Sequence, residues 1–253
     1  MPKYRNVITP SVYGPVIINR FDTVIGISIS TRGDWEKEQL DLIQSVLQAC
    51  TPPDSAITIL DVGANIGTHT LAFAQFPFKL VTVHAYEAQR QVYYMLAGTV
   101  AINSLDHVYC HHKAVSDRSN QSITVPVPDY DSPANFGGVE IEAAVNPDFA
   151  GQSLPGATDT IETVRIDDGR FDNLKLLKID VEGMENKVLA GAAATIDRHR
   201  PLIFVEYGKT DFTALLQFLR GKNYVSYFVP GMNLFSLPAE LGMVIKGAEV
   251  AGD

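Results

Sequence analysis

The stretch LDVGANIGTHT, residues 60–70, decides the fold of this chain. An apolar run that predicts a buried strand ends inside it, and a helix is predicted to begin near Thr68. Gly63 and Gly67 lack a Cβ, so the backbone between strand and helix can turn sharply and let a ligand come close. Asn65 is of the residue type that, after glycine, most readily adopts positive φ. Free N–H groups at the start of the helix favour an anion, so we expect this turn to hold part of a ligand.

Composition and charge narrow the classes of protein to which the chain can belong. Its 253 residues carry 29 acidic and 20 basic side chains, a net charge of −9, which disfavours a phosphate backbone as partner. No segment has the length and apolarity of a membrane span, and the N-terminus lacks the layout of a signal peptide. The two cysteines, Cys50 and Cys110, have no CxxC partner. We therefore expect a cytoplasmic protein whose partners include neither a membrane nor a nucleic acid.

Strands and helices alternate along most of the chain. The predicted strands are largely apolar and cover Ile57–Val62, Leu80–Tyr86, Val108–Val115, Leu174–Asp180, Pro201–Tyr207, Tyr224–Val229 and Met232–Leu237. Helices are predicted from Thr68 onward and over Gln89–Asn103, Glu185–Asp197 and Asp211–Arg220. Such alternation indicates an α/β fold with a doubly wound, mostly parallel sheet. Ligands bind such sheets at the carboxyl ends of the strands, so polar residues there are the site candidates.

The two ends of the chain are predicted to lie outside this sheet. Residues 1–50 are expected to form a hairpin across Val16–Ile29 and then a helix that Asp34 caps. The sheet and its helices would occupy residues 51–240, and residues 241–253 would form a C-terminal tail.

A long irregular segment, residues 117–160, interrupts the alternation and is rich in Pro, Asp, Asn, Ser and Gly. Such a segment inside a compact domain is usually a lid or a substrate loop. Asn135, Gly137 and Gly138 give it a tight turn with an amide side chain. We expect these three residues to form a wall of the substrate site.

Glu87 ends the second predicted strand, twenty residues after Gly67. At that position a nucleoside-binding fold places a carboxylate that accepts hydrogen bonds from both ribose hydroxyls. Nicotinamide, flavin and S-adenosylmethionine all suit this layout, but the G-x-G-x-x-G spacing that makes room for a pyrophosphate is absent. Asp61, just before the turn, would repel a pyrophosphate and suits the ammonium group of S-adenosylmethionine. A methyl donor is therefore the favoured ligand.

Five short motifs occur in the order and spacing of the FkbM-type methyltransferases, which the chain therefore resembles. They are DVGANIGTHT, YEA, AVSD, NFGG and LLKIDVEGME, and the resemblance extends from about Trp35 to Phe235. The family consists of S-adenosylmethionine-dependent O-methyltransferases. The resemblance implies a Rossmann-like class I methyltransferase fold, with a seven-stranded sheet whose last strand is antiparallel. It also implies S-adenosyl-L-methionine as the cofactor.

The resemblance also implies which residues bind the methyl donor, S-adenosylmethionine. Those lining its methionine and ribose parts would be Asp61, Gly63, Ala64, Asn65, Gly67 and Thr68. Glu87 would bind the ribose hydroxyls, and Ser116 with Asp117 would lie beside the adenine. The chain departs from the family pattern at Ala88, where a proline is common, and at Thr99, where an asparagine is usual. The resemblance does not identify the acceptor.

Acidic residues at two further strand ends are the candidates for the chemistry. Asp180 and Glu182 follow the predicted strand beside the glycine turn, and Glu206 ends the next strand. Three carboxylates in one crevice repel one another unless a proton, a lysine or a metal compensates. Asp180 or Glu182 could act as general base on a hydroxyl, or hold a divalent cation such as Mg²⁺. His69, in the first helical turn after the glycines, is a further catalytic candidate.

Together these features predict an O-methyltransferase that acts on a hydroxyl of a small-molecule or sugar-containing metabolite. The sequence leaves open a nicotinamide-dependent oxidoreductase, a non-catalytic nucleoside-binding module and a ribose 2′-O-methyltransferase of RNA. The missing dinucleotide spacing opposes the first, the intact Asp180 and Glu182 oppose the second, and the acidic charge opposes the third. We also expect a side chain at Gly63 to block the donor while the fold is retained.

Overall fold

An antiparallel hairpin and two helices precede the main sheet. The computed structural model of the protein describes residues 4–140 and 157–252. The first elements in chain order are β1 (Asn6–Ser11), β2 (Gly14–Asn19), α1 (Ile25–Arg32) and α2 (Lys37–Cys50). β1 pairs with β2 in an antiparallel ladder that is separate from the main sheet.

The hairpin predicted across Val16–Ile29 is wrong in position. The turn lies at residues 12–13, and the second half of the predicted range begins helix α1. The side chains of Asn19 and Asp22 accept hydrogen bonds from the backbone N–H groups two residues later, at 2.9 and 2.8 Å. These local bonds offer the backbone an alternative to a strand ladder, and the chain turns into the helix.

Helix α2 begins two residues later than a cap at Asp34 would place it. Glu36 precedes the helix in a left-handed conformation, with φ of +52°, and no side chain caps the helix. The predicted cap is therefore wrong. The predicted buried face is confirmed, and it consists of Leu40, Ile43, Val46 and Leu47.

Ten further strands and five further helices follow among the described residues. The strands are β3 (Ala56–Val62), β4 (Leu80–Glu87), β5 (Val108–His112), β6 (Ala114–Val115), β7 (Ser122–Pro126), β8 (Thr158–Val164), β9 (Leu174–Ile179), β10 (Leu202–Glu206), β11 (Tyr224–Val229) and β12 (Asn233–Pro238). The helices are α3 (Thr68–Ala74), α4 (Arg90–Ile102), α5 (Glu185–Gly191), α6 (Ala193–His199) and α7 (Phe212–Gly221).

Seven of these strands form the main sheet, in the order β11-β12-β10-β9-β3-β4-β5. β3, β4, β5, β9 and β10 run parallel, whereas β12 is antiparallel to both of its neighbours. The short connection between β11 and β12 explains this, because a tight turn can join only antiparallel strands. The predicted doubly wound sheet with an antiparallel last strand is what the chain forms.

Both faces of the main sheet are covered by apolar packing. In β3, Ile57 and Ile59 contribute to one buried cluster, and Leu60 and Val62 contribute to the cluster on the opposite face. Burial on both faces explains why β3 reads as a continuous apolar run in the sequence. At its carboxyl end this central strand leads directly into the glycine turn.

A second, three-stranded sheet has the order β6-β8-β7 and was not predicted. β8 begins within the segment 117–160, which was expected to be irregular. Its sequence is mostly polar, and its alternating burial includes just two buried side chains, Ile161 and Thr163, so it lacks an apolar signal. Residues 141–156 of the predicted substrate loop lie outside the described residues.

Two predicted elements are each divided into two. The predicted strand Val108–Val115 breaks at Lys113, because β6 leaves the main sheet and pairs with β8. The predicted helix Glu185–Asp197 is α5 followed by α6, which meet at Ala192.

The C-terminal residues pack along the outer strand β11. The N–H of Phe228 donates to the carbonyl of Glu249 at 2.9 Å, and the N–H of Ala251 donates to that of Ser226 at 2.8 Å. Within the described residues, no helix combines the length and the apolar character that a membrane crossing requires.

Candidate active site

The glycine turn between β3 and α3 has the conformation that its sequence predicts. Gly63, Asn65 and Gly67 all have positive φ, at 77°, 51° and 92°. The N–H groups of Gly63 and Ala64 both donate to the carbonyl of Tyr86, at 3.0 and 2.9 Å, which ties the turn to the end of β4. The turn is therefore held rigidly at the carboxyl edge of the sheet.

Gly63 is required for a reason that differs from the predicted one. A Cβ at this position would lie 1.7 Å from the backbone carbonyl oxygen of Asp180. The N–H of Asp180 also donates to the carbonyl of Val62 at 3.0 Å. A side chain at residue 63 would therefore collide with the protein's own backbone, which argues against the expectation that such a substitution disturbs only the donor site.

Glu87 reaches from the end of β4 to the glycine turn. Its Oε2 accepts a hydrogen bond from the N–H of Asn65 at 3.0 Å, and its Oε1 accepts one from the N–H of Gln89 at 2.7 Å. Burial raises the pKa of Glu87 to about 7, although the two N–H groups oppose this. Each carboxylate oxygen has a second lone pair, so the group can still accept hydrogen bonds from a ligand.

A single cleft at the carboxyl edge brings most of the predicted site residues together. Those that line it are Gly63, Ala64, Asn65, Thr68, His69, Glu87, Asn135, Gly137, Gly138, Asp180, Glu182 and Glu206. The elements that supply them are the glycine turn, the ends of β4, β9 and β10, and the segment before residue 140. A nucleoside-type turn and an acidic cluster therefore share one cavity.

Four predicted donor-binding residues do not line this cleft. Asp61 is fully buried beneath the turn, where Thr70 Oγ1 donates to its Oδ2 at 2.6 Å. Gly67 packs against helix α4. Ser116 donates to Asp117 at 3.1 Å, and the residues that line the cleft there are Lys113, Ala114 and Val115. The side chain of Asp61 is thus placed to support the turn from below.

Asp180, Glu182 and Glu206 form the acidic cluster, with carboxylate oxygens within 4.8 Å of one another. Lys178 lies under this cluster with its side chain 5% exposed, and its Nζ is 3.4 Å from Asp180 and 3.5 Å from Asp61. The same ammonium donates to the carbonyl of Gly63 at 2.7 Å. Lys178 therefore joins the acidic cluster to the glycine turn.

The three carboxyl groups of the cluster differ in their tendency to ionise. Burial and then the nearby Asp180 raise the pKa of Glu206 to about 10 and that of Glu182 to about 7. Burial would also raise the pKa of Asp180, but the Lys178 ammonium and a hydrogen bond from Glu206 outweigh it, so this pKa lies below its ordinary value. At neutral pH Asp180 is ionised, and Glu206 is protonated and donates to it.

Lys209 is a component of the site that the sequence did not indicate. It forms an ion pair with Glu182, and its Nζ donates to the carbonyl of Gly138 at 3.0 Å. Glu182 has φ of +55°, a strained conformation for a side-chain-bearing residue. Because Lys209 lies in the loop after β10, it meets these partners through the tertiary fold, and no local pattern reveals it.

The predicted wall residues pack directly on the glycine turn. A Cβ at Gly137 would lie 2.5 Å from Asn65 Nδ2, and the N–H of Gly138 donates to Asn135 Oδ1 at 3.2 Å. The side chain of Gln89 donates to the carbonyl of Phe136 at 2.9 Å, which fixes the segment to the start of α4. These contacts place the wall against the cleft, while its role towards a substrate stays a prediction.

His69 faces the cleft and contacts a residue from the N-terminal extension, which is residues 1–50. Its Nε2 is 3.1 Å from Oε2 of Glu36, and its side chain is 6% exposed. Glu36 also lines the cleft and was not among the predicted site residues. Its position just before α2 carries no motif in the sequence, so only the fold shows that it reaches His69.

The seven-stranded sheet with a cleft at its carboxyl edge is a doubly wound α/β fold with a ligand-sized site at the strand ends. The sequence pattern described as the Methyltransferase FkbM domain matches residues 61–226, more than half of the chain. The chain belongs to this family of methyltransferases. A nicotinamide-dependent oxidoreductase does not fit that membership.

Solved structures of methyltransferases are similar to the chain at low identity. The FkbM methyltransferase of Methylobacillus flagellatus KT is 17% identical with a TM-score of 0.49, and the match covers 73% of this chain and 44% of that one. A precorrin-6y C5,15-methyltransferase from Geobacter metallireducens GS-15 is 12% identical with a TM-score of 0.41. That match covers 77% of this chain and 85% of the other. The chain spans less than half the length of the first of these proteins. No curated protein sequence matches the chain.

Proposed function

We propose that the protein transfers the methyl group of S-adenosylmethionine to a hydroxyl oxygen of a small-molecule or sugar-containing metabolite. The observation that carries this proposal is the direct contact between the turn at Gly63 and the backbone of Asp180. This contact supports the proposal, because the Asp180 carboxylate would then lie close to a donor bound at the turn. The acidic net charge of −9 supports a small acceptor over a nucleic acid or a membrane surface.

The residues of the cleft fit S-adenosylmethionine. Glu87 has lone pairs left for the two ribose hydroxyls, and Gly63, Ala64, Asn65 and Thr68 would surround the ribose and methionine parts. The donor carries a sulfonium and an ammonium group, which suit a cleft lined by several carboxylates. Asp61 would support the turn from beneath. Ser116 and Asp117, which follow β6, would lie near the adenine end of the donor.

The bound donor supplies an electrophilic methyl group, and the protein must remove the proton of the attacking hydroxyl. We assign Asp180 as the base that accepts this proton. Its side chain is 37% exposed and lines the cleft. As the oxygen forms its bond to the methyl carbon, the sulfur–carbon bond breaks and the hydroxyl becomes strongly acidic. An ionised carboxylate with a low pKa can therefore still accept the proton, and Glu182 and His69 would help to orient the acceptor.

A divalent cation such as Mg²⁺ is the alternative activator at Asp180, Glu182 and Glu206. In the described residues, Lys178, Lys209 and the proton of Glu206 already offset the three carboxylates. This supports a metal-free base. EDTA should leave the rate of methyl transfer unchanged, and loss of activity with EDTA that Mg²⁺ restores would make Asp180 a metal ligand.

Calorimetric titration with S-adenosylmethionine tests the donor site. Glu87→Ala removes the acceptor of the ribose hydroxyls and should weaken binding by about 2–4 kcal/mol. Glu240→Gln, which alters a carboxylate at the far ion pair with Arg200, is the matched control and should bind like the wild type. Unchanged affinity in Glu87→Ala would remove Glu87 from the donor site.

A further inference from the structure

The N-terminal extension supplies one wall of the cleft. Val24, Ile25, Trp35 and Glu36 line it together with residues of the glycine turn and the acidic cluster. All four precede residue 61, where the family pattern begins. This wall therefore lies outside the residues that the family pattern matches, although the sequence resemblance begins at about Trp35.

Glu36 is held at the acidic end of the cleft by a contact with His69. Its Oε2 is 3.1 Å from His69 Nε2. Its side chain is 24% exposed, and its backbone has φ of +52°. A residue persists in this costly conformation only when the surrounding structure holds it there. The carboxylate is thus fixed and remains accessible from the cleft.

Glu36 adds a carboxylate to this end of the cleft, where the ammonium groups of Lys178 and Lys209 already pair with Asp180 and Glu182. Glu36, Asp180 and Glu182 face the same cavity. The two lysines that line the cleft among the described residues, Lys113 and Lys178, already contact carboxylates. An acceptor with its own carboxylate or phosphate near the reacting hydroxyl would therefore meet like charges at short range, without an ammonium available to it.

We propose that Trp35 and Glu36 form an acceptor subsite that takes a neutral polyhydroxylated ring and excludes anionic rings. The subsite rests on the proposed function, because it assumes that the acceptor lies between this wall and Asp180. An indole offers a flat apolar face to the C–H groups of a sugar ring. A fixed carboxylate accepts hydrogen bonds from two hydroxyls of that ring. Trp35 and Glu36 would thus set the specificity of the enzyme, and Asp180 would remain the catalytic base.

Two test compounds of matched shape separate charge from fit. They are methyl α-D-glucopyranoside and its uronate, each titrated by calorimetry into the protein saturated with S-adenosylhomocysteine. The affinity for the neutral glycoside should exceed that for the uronate by about tenfold or more. Equal or tighter binding of the uronate, or no binding of either compound, would overturn the subsite. Failure of S-adenosylhomocysteine itself to bind would overturn the proposed donor site instead.

Variants of Trp35 and Glu36 test whether these two residues cause the preference for the neutral compound. Glu36→Gln keeps the shape and removes the charge, so the difference between the two compounds should shrink severalfold. Trp35→Ala should weaken the neutral glycoside about tenfold, whereas Trp35→Phe, which keeps an aromatic face, should retain most of the affinity. All three should bind S-adenosylhomocysteine like the wild type, which also reports that they fold. An unchanged preference in Glu36→Gln and in Trp35→Ala would assign the discrimination to other residues.

Discussion

The backbone carbonyl oxygen of Asp180 occupies the space that a side chain at Gly63 would need, 1.7 Å from the position of its Cβ. The turn that would hold the donor and the strand end that carries the candidate base are thus in contact through their backbones. Lys178 strengthens this link, because its ammonium donates to the carbonyl of Gly63 and lies 3.4 Å from the carboxylate of Asp180. Donor and base positions are therefore set by a single packed junction between β3 and β9.

The first prediction concerns this junction. Gly63→Ala should lower the free energy of unfolding by about 3 kcal/mol or more, because the new Cβ meets backbone that cannot rotate away. Gly242→Ala is the matched control, since Gly242 also has positive φ, at 59°, but has open space around it. The control should lose about 1 kcal/mol. Equal losses in urea unfolding would show that the junction is less tightly packed than its geometry indicates.

The second prediction concerns Lys209. Lys209→Met leaves Glu182 without its ammonium partner and frees the carbonyl of Gly138, so stability should fall by about 3 kcal/mol. Adding Glu182→Gln removes the uncompensated carboxylate and should restore much of the loss. Lys37→Met is the control, because Lys37 pairs with Asp41 on the surface, where the side chains are 47% and 58% exposed. If the Lys209 variant and the control lose equally little in thermal unfolding, Lys209 does not hold the site together.

The third prediction concerns the pH dependence of stability. The folded protein keeps the proton of Glu206 up to a pKa of about 10, whereas an unfolded chain releases it near 4.5. The folded state therefore binds more protons, and this contribution to stability is full below the lower pKa and is lost as the pH rises through the higher one. Between about pH 7.5 and 9.5, the wild type should lose more stability than Glu206→Gln, whose amide can donate to Asp180 without titrating. Parallel melting curves for the two proteins would contradict a protonated Glu206.

The sequence predicts the main sheet well because its signals are local. β3 shows apolar residues on both faces, and the turn after it shows Gly63, Asn65 and Gly67 where positive φ is needed. The strand ends that carry Glu87 and Asp180 follow from the same alternation. These parts of the site are therefore predictable from the sequence alone.

Other parts of the site depend on contacts between distant segments, and no local pattern reveals them. Glu36 meets His69 and Lys209 meets Glu182 only because the extension and the loop after β10 fold onto the cleft. The polar strand β8 has no apolar pattern of its own. Its place in a sheet is evident only from its pairing with β7, which precedes residue 140 in the chain. Asp61 shows the converse, because its place in the motif suggested a position lining the donor site, whereas its carboxylate is buried against Thr70 and Lys178.

The rate of methyl transfer in Asp180→Asn tests the central claim most directly. This substitution keeps the shape of the side chain and removes the charge that would accept the hydroxyl proton. With an acceptor that the wild type methylates, formation of S-adenosylhomocysteine should slow by about 100-fold or more, while the affinity for S-adenosylmethionine stays within a few-fold. Asp197→Asn, at a surface ion pair with Lys222, should turn over like the wild type. A wild-type rate in Asp180→Asn would contradict the assignment and transfer the role of base to Glu206 or His69.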